Sequence, residues 1–135
     1  MNYAIVAVAQ AAVAALVFLV LPRMGRRDAD RRGIAPDRLK ALLDKGAVTV
    51  VDVREPDEFA RGHIPGAVSL PLGGLRDGLK NLPGDRAIAA VCQRGRRSRA
   101  AAGLIARVGF NEVYSLEGGM ASWPYGTERA GEEGR

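Results

Sequence analysis

A single cysteine, Cys92, begins a short basic loop that contains a glycine, a setting that could support nucleophilic sulfur chemistry. The loop follows an apolar run ending at Val91 and continues as Gln93, Arg94, Gly95, Arg96, Arg97 and Ser98. A loop that leads into a helix can direct several backbone N–H groups at one anion. Such donors, together with nearby arginines, lower the pKa of a thiol and raise its thiolate fraction at neutral pH. We therefore predict that Cys92 is a nucleophile in an anion-binding loop; the alternative is an inert buried cysteine followed by a solvated loop.

Strand-like and helix-like patterns alternate on both sides of this loop. Strands are predicted over 47–53, 68–70, 87–91 and 112–116, and helices over 36–43, 56–60, 75–82 and 98–108. Ser98 is the predicted N-cap of the last helix. The alternation indicates an α/β domain whose parallel sheet carries helices on both faces. Because ligands of such sheets bind at the carboxyl ends of the strands, we expect the site directly after Val91.

The composition excludes several other kinds of site. One cysteine and one histidine cannot form a disulfide within the chain, nor a zinc site built from the Cys and His of one chain. The net charge of +5 reflects two arginine clusters, at 23–32 and 94–99, and aromatic residues make up only 5% of the chain. Basic and aromatic residues are not interleaved as they are in proteins that stack bases. We therefore predict no metal, no cofactor and no nucleic-acid partner.

An apolar segment over residues 4–21, interrupted only by Gln10, is long enough to cross a bilayer as a helix. A secretory signal peptide is the alternative, but the first three residues carry no basic side chain and no small-residue cleavage site follows. Five arginines between 23 and 32 flank the segment on one side. By the positive-inside rule we expect a single-pass anchor over 1–22, a basic linker over 23–33, and a catalytic domain on the cytoplasmic side of the inner membrane.

Several motifs spread over residues 34–123 resemble those of a single rhodanese domain. In chain order they are Asp52-Val53-Arg54-Glu55, Glu58-Phe59, Gly62-His63-Ile64-Pro65-Gly66-Ala67, Cys92-x-x-Gly95-x-Arg97-Ser98, and Leu116-Glu117-Gly118-Gly119 with Trp123. The resemblance implies a three-layer α/β domain with a five-stranded parallel sheet. The apolar segment described above adds one transmembrane helix before this domain, and a Gly- and charge-rich composition predicts a flexible tail over 124–135 after it. An N-terminal anchor joined to one such domain also resembles a recurring bacterial membrane sulfurtransferase arrangement.

The resemblance also implies a reaction. Cys92 would accept a sulfane sulfur as a persulfide, held by the backbone amides of residues 93–97, and would pass it on in a ping-pong cycle. The implied donor is thiosulfate or a similar anion, and the implied acceptor is cyanide, a thiol or an unidentified protein. Arg97 matches the family's motif and is the expected contact of the donor. The family often has arginine where this chain has Gln93, which leaves the preferred donor open.

Two other functions fit parts of the same pattern. A non-catalytic rhodanese-like module could tether a partner at the membrane, although the intact cysteine loop favours catalysis. A cysteine phosphatase or arsenate reductase is less favoured, because phosphatases that resemble this fold use Cys-x5-Arg. Here Arg97 lies one position closer to Cys92, and valine, not histidine, precedes the cysteine. The shorter loop favours a sulfur atom over a phosphate group.

Three further residues are predicted to support the site: Asp52, Arg54 and His63. Asp52 ends a buried strand, where a carboxylate needs a partner, so it either orients a loop arginine or forms a buried salt bridge. Arg54 is assigned a similar structural role. His63 is the only histidine and could pair with Cys92, but its Gly-His-Ile-Pro-Gly setting favours a hydrogen-bonded turn residue.

Overall fold

The computed structural model describes residues 32–132. Its strands are β1 (Gly33–Ile34), β2 (Val48–Asp52), β3 (Val68–Ser69), β4 (Ala87–Val91) and β5 (Val113–Leu116). Its α-helices are α1 (Pro36–Asp44), α2 (Pro56–Arg61), α3 (Leu75–Gly78) and α4 (Arg96–Val108). Short 3-10 turns cover Leu72–Gly74, Leu79–Asn81 and Gly119–Ser122.

The five strands form one parallel sheet in the order β1-β5-β4-β2-β3. The central strands β2 and β4 pair over their full length, from Val48 opposite Ala87 to Asp52 opposite Val91. Their carboxyl ends therefore lie side by side at one edge of the sheet. The predicted α/β fold with a five-stranded parallel sheet is confirmed.

Apolar side chains pack on both faces of the sheet, because β2 and β4 alternate residues between two core clusters. On one face, Val51 and Ile88 pack with Ile105 of α4 and Leu75 of α3. On the other face, β2 and β4 pack against α1 and against the segment that carries Trp123; this cluster includes Val50, Ala89, Leu39 and Trp123. Burial on both faces explains why β2 and β4 are continuous apolar runs rather than alternating ones.

Two local features differ from the sequence predictions. The edge strand β1 was not predicted; it has only two residues, of which Gly33 lies in the solvated linker expected over 23–33. The helix predicted over 75–82 is instead one short α-helical turn between two 3-10 turns. This stretch contains Gly73, Gly74 and Gly78, and glycine has a low propensity for a regular helix.

Residues 124–132, part of the predicted flexible tail, make specific backbone contacts. Glu128 and His63 exchange two backbone hydrogen bonds of 2.9 Å each, and the Ala130 N–H donates to the Ala60 carbonyl. The Glu128 carboxylate also accepts a hydrogen bond from the Gly66 N–H at 3.0 Å. This segment therefore covers the loop that follows α2.

The predicted membrane anchor over 1–22 lies outside the described residues, as does nearly all of the predicted linker. Within residues 32–132 there is no helix with the length and apolar character that a membrane crossing requires.

Candidate active site

The Cys92 loop connects the end of β4 to the start of α4, at the carboxyl edge of the sheet. Gly95 is the N-cap of α4 and has a φ of 95°, in the left-handed region that glycine adopts without strain. The prediction that Ser98 is the N-cap is wrong, because the turn at Gly95 starts the helix earlier and leaves Ser98 inside its first turn. There Ser98 is fully buried.

A backbone N–H and a serine hydroxyl lie within hydrogen-bond distance of the Cys92 sulfur, and both can donate to it when it is a thiolate. The Gly95 N–H lies 3.1 Å from Sγ, and the Ser98 Oγ lies 3.4 Å from it. Burial raises the pKa of this thiol, but the Ser98 hydroxyl and the backbone N–H groups of Ser98, Arg94 and Gly95 together hold it below its usual value. The thiolate is thus favoured by hydrogen bonds more than by the nearby arginine charges that the sequence analysis also invoked.

A second loop, the segment after β5 that contains the 3-10 turn at Gly119–Ser122, holds the Cys92 loop in place. The Met120 N–H donates to the Cys92 carbonyl at 2.8 Å, and the Ala121 N–H donates to the Gln93 carbonyl at 2.9 Å. Gly119 has a φ of 62°, and a Cβ built on it would lie 2.4 Å from the Cys92 carbonyl oxygen. Only glycine allows the two backbones to approach this closely.

Asp52 and Arg54 form a buried ion pair beside the loop. The Arg54 Nη2 lies 2.7 Å from the Asp52 carboxylate, and Nε donates to both of its oxygens at 3.0 and 3.1 Å. Nη2 also donates to the Gly62 carbonyl at 2.7 Å, and Nη1 lies 3.5 Å from the Gln93 side-chain oxygen. The pair therefore connects the end of β2 with the turn after α2 and with the cysteine loop.

Arg97 makes a bidentate ion pair with Glu58, a residue that was not predicted from the sequence to belong to the site. The two guanidinium Nη atoms lie 2.8 and 3.0 Å from the Glu58 carboxylate oxygens. The Arg97 hydrogen bonds lower the pKa of Glu58 to about 2, with a further contribution from the Glu55 N–H, so the carboxylate is ionised at neutral pH. Glu58 also completes a capping box with Glu55 at the start of α2. The sequence signal for Glu58 was its position three residues after Glu55, which is the spacing of a capping box.

His63 is buried and makes its contacts away from the sulfur's hydrogen-bond partners. Its Nδ1 lies 2.9 Å from the Phe59 carbonyl oxygen, and its ring stacks on the Phe59 ring with centroids 3.7 Å apart. Its Nε2 lies 3.4 Å from the Glu128 carboxylate. These contacts are those of a turn residue that fixes the loop after α2.

An open cavity of about 240 Å³ leads from solvent to the buried Cys92 side chain. It is lined by Cys92, Gln93, Arg94, Arg96, Arg97 and Glu58. Within residues 32–132 the side chains of Arg94 and Arg96 form no ion pair, and both are exposed. The same part of the chain holds no cluster of three or more His, Cys, Asp or Glu side chains that could bind a metal ion.

Comparison with known proteins identifies the family. A model of the rhodanese-like domain matches residues 35–124. The thiosulfate sulfurtransferase GlpE of Ectopseudomonas mendocina is 39% identical over 104 residues, which cover 74% of this chain and 94% of that protein. A rhodanese-related protein of Thermoplasma volcanium has a similar crystal structure, with a TM-score of 0.66 and 35% identity, over 72% of this chain and 97% of that one. A Rhodopseudomonas palustris protein of unknown function, described as a possible tyrosine phosphatase, has a TM-score of 0.62 and 28% identity, over 76% of this chain and 87% of its own. The chain belongs to the family of proteins with a rhodanese-like domain.

Proposed function

We propose that this protein is a sulfurtransferase that carries sulfane sulfur from thiosulfate, or a similar anion, on Cys92. The observation that carries the proposal is the set of donors around the Cys92 sulfur, with the Gly95 N–H at 3.1 Å and the Ser98 hydroxyl at 3.4 Å. These donors stabilise negative charge on sulfur without a histidine base. The sulfurtransferase relative supports the same assignment.

In the first half-reaction the Cys92 thiolate attacks the outer sulfur of thiosulfate. A bond forms between Sγ and the outer sulfur, the sulfur–sulfur bond of thiosulfate breaks, and sulfite leaves with the electron pair. The product is a Cys92 persulfide anion. Backbone N–H groups of the loop and the N-terminus of α4 would stabilise that anion as they stabilise the thiolate.

In the second half-reaction an acceptor removes the outer sulfur and regenerates the thiolate. Cyanide would leave as thiocyanate, and a thiolate would leave as a persulfide. Because the chain has one cysteine, no second thiol of the same chain can displace the sulfur as a disulfide. The persulfide must therefore wait for an external acceptor, a small thiol or a protein, which gives a ping-pong cycle.

The arginines around the cavity would attract and bind the anionic donor. Arg94 and Arg96 line the cavity without a partner in the described part of the chain, so their charges are uncompensated locally. An arginine has five N–H donors, and Glu58 uses Nη1 and Nη2 of Arg97 for one bond each. We propose that the remaining donors of Arg97 contact the donor anion.

A steady-state assay on the full-length chain tests this function. With thiosulfate and cyanide we expect thiocyanate formation that disappears in Cys92→Ser, and little hydrolysis of an aryl phosphate. Mercaptopyruvate in a parallel assay would define the donor. Substantial phosphate hydrolysis without sulfur transfer would favour a phosphatase instead. Absence of both activities would favour a module that tethers a partner.

We also propose that residues 4–21 anchor the protein in the inner membrane with the catalytic domain in the cytoplasm. The support is the apolar segment and the five arginines that follow it. A reporter fused after Arg135 should be active only if it is of a type that works in the cytoplasm. Activity of a periplasm-specific reporter, or a mature protein that lacks residues 1–22, would contradict this topology.

A further inference from the structure

We propose that Ser115 is a positioning residue for the nucleophile: its hydroxyl donates to Ser98, which in turn donates to the Cys92 sulfur. The functional meaning of this relay rests on the proposed role of Cys92. Its direct effect, on the ionisation of the thiol, can be measured without any sulfur transfer.

The three side chains form a continuous buried row from β5 to the cysteine loop. The Ser115 Oγ lies 2.8 Å from the Ser98 Oγ, which lies 3.4 Å from the Cys92 Sγ. Ser98 and Cys92 are fully buried, and Ser115 is 8% exposed. Ser115 pairs in register with Ala90 of β4, which lies two residues before Cys92. Ser115 is therefore next to the start of the cysteine loop.

The direction of the hydrogen bonds follows from counting protons. A serine hydroxyl has one proton to donate and two lone pairs to accept with. When Cys92 is a thiolate it can only accept, so a hydrogen bond between the sulfur and Ser98 uses the single Ser98 proton. The 2.8 Å contact then requires Ser115 to donate to Ser98. If Ser98 donated to Ser115 instead, the sulfur would lose its side-chain donor.

A donor to Ser98 also strengthens the bond that Ser98 makes to sulfur. Hydrogen bonds in a chain polarise one another, and the effect is larger where water is excluded. The Ser98 hydroxyl is the largest of the contributions that lower the pKa of Cys92. Removing the Ser115 oxygen should therefore weaken that contribution while leaving the backbone donors of the loop in place.

The charged groups that face Cys92 lie on the opposite, open side of the loop. They are Arg94 and Arg96 on the loop and first turn of α4, and the ion pair of Arg97 with Glu58 from α2. Among the described residues the Ser115 side chain makes its hydrogen bond with Ser98 and lies outside the lining of that cavity. A change at Ser115 thus tests the relay without altering these charges.

The test measures the pKa of Cys92 in the full-length chain. Thiolate absorbance near 240 nm, taken as a difference from Cys92→Ser, reports this single cysteine, and the pH profile of alkylation by iodoacetamide is an independent readout. In Ser115→Ala we expect a higher thiol pKa and, below that pKa, alkylation slower by about two- to ten-fold. The matched control is Ser69→Ala, the same change in β3, which should leave the thiol pKa unaltered.

A double variant distinguishes the relay from a general effect on packing. In the Ser98→Ala background, Ser115→Ala should cause no further rise in the thiol pKa, because Ser115 acts only through Ser98. An equal rise with and without Ser98, or no rise in either background, would overturn the proposal. If Ser115→Ala does not fold, Ser115→Thr and Ser115→Val provide a second comparison. The two have nearly the same shape, and only the threonine should retain the wild-type thiol pKa. A pKa shift in a protein without sulfur transfer would support the relay and reject the proposed function.

Discussion

Replacing Arg54 with methionine is expected to destabilise the domain by about 3–5 kcal/mol, because it leaves the buried Asp52 carboxylate without its partner. Both side chains are almost completely buried, and Arg54 gives Asp52 three side-chain hydrogen bonds. Urea unfolding followed through the fluorescence of Trp123, the single tryptophan, would measure the change. Activity should also fall, since Arg54 contacts the cysteine loop through Gln93.

The control is an arginine of the same domain whose ion pair is exposed. Arg61 pairs with Asp57 one helical turn away, and both side chains are more than 70% exposed. Arg61→Met should therefore cost less than about 1 kcal/mol. A double variant, Asp52→Leu with Arg54→Met, should recover part of the stability lost in Arg54→Met, because it removes the unpaired charge. Equal effects of Arg54→Met and Arg61→Met would contradict the role assigned to the buried pair.

Substituting Gly119 with alanine is expected to lower sulfur-transfer activity by about 100-fold or more, because small displacements of a reacting atom have effects of that order. The added Cβ would lie within 2.6 Å of three atoms of the Cys92–Gln93 backbone, so the two loops must separate. Separation would break the hydrogen bonds from Met120 and Ala121 that hold the cysteine loop. The rate of Cys92 alkylation and the rate of thiocyanate formation would both report the displacement.

Substitutions at two other glycines distinguish the steric clash at Gly119 from ordinary backbone strain. Gly46 has a φ of 64°, close to that of Gly119, but a Cβ there meets nothing within 4 Å. Gly46→Ala should lower stability by about 1 kcal/mol, the cost of a left-handed alanine, and should leave activity nearly unchanged. Gly84 has neither feature, and Gly84→Ala should change neither quantity. Activity of Gly119→Ala close to that of Gly46→Ala would show that the loop contact does not position Cys92.

The sequence predicted those parts of the fold that have a strong local signal. The apolar runs around Val50 and Ala89 predicted buried central strands, and the glycine-containing loop after Val91 predicted the position of the site. The strand at Gly33–Ile34 was not predicted, because two residues are too few to show a periodic pattern. Its pairing with Ser115 and Leu116 depends on residues about 80 positions away.

The contacts that build the site were harder to predict, since they join distant residues. Glu58 and Arg97 are 39 positions apart, and their pairing depends on how α2 packs near the cysteine loop. Ser98 was predicted to cap α4 from its residue type, whereas the left-handed turn at Gly95 moved the start of the helix. Ser115 carried a weak signal, as the one serine in the strand Val113–Leu116. The role of Ser115 becomes clear only in the structure, where its hydroxyl contacts that of Ser98.

The central claim is that Cys92 carries sulfur as a persulfide, and mass spectrometry of the thiosulfate-treated protein tests it most directly. We expect the peptide that contains Cys92 to gain the mass of one sulfur atom, with release of one sulfite for each persulfide formed. Cyanide should then remove the added mass and yield an equal amount of thiocyanate, and Cys92→Ser should show neither step. A wild-type protein that gains no sulfur on this peptide, although its thiol reacts with iodoacetamide, would contradict the account.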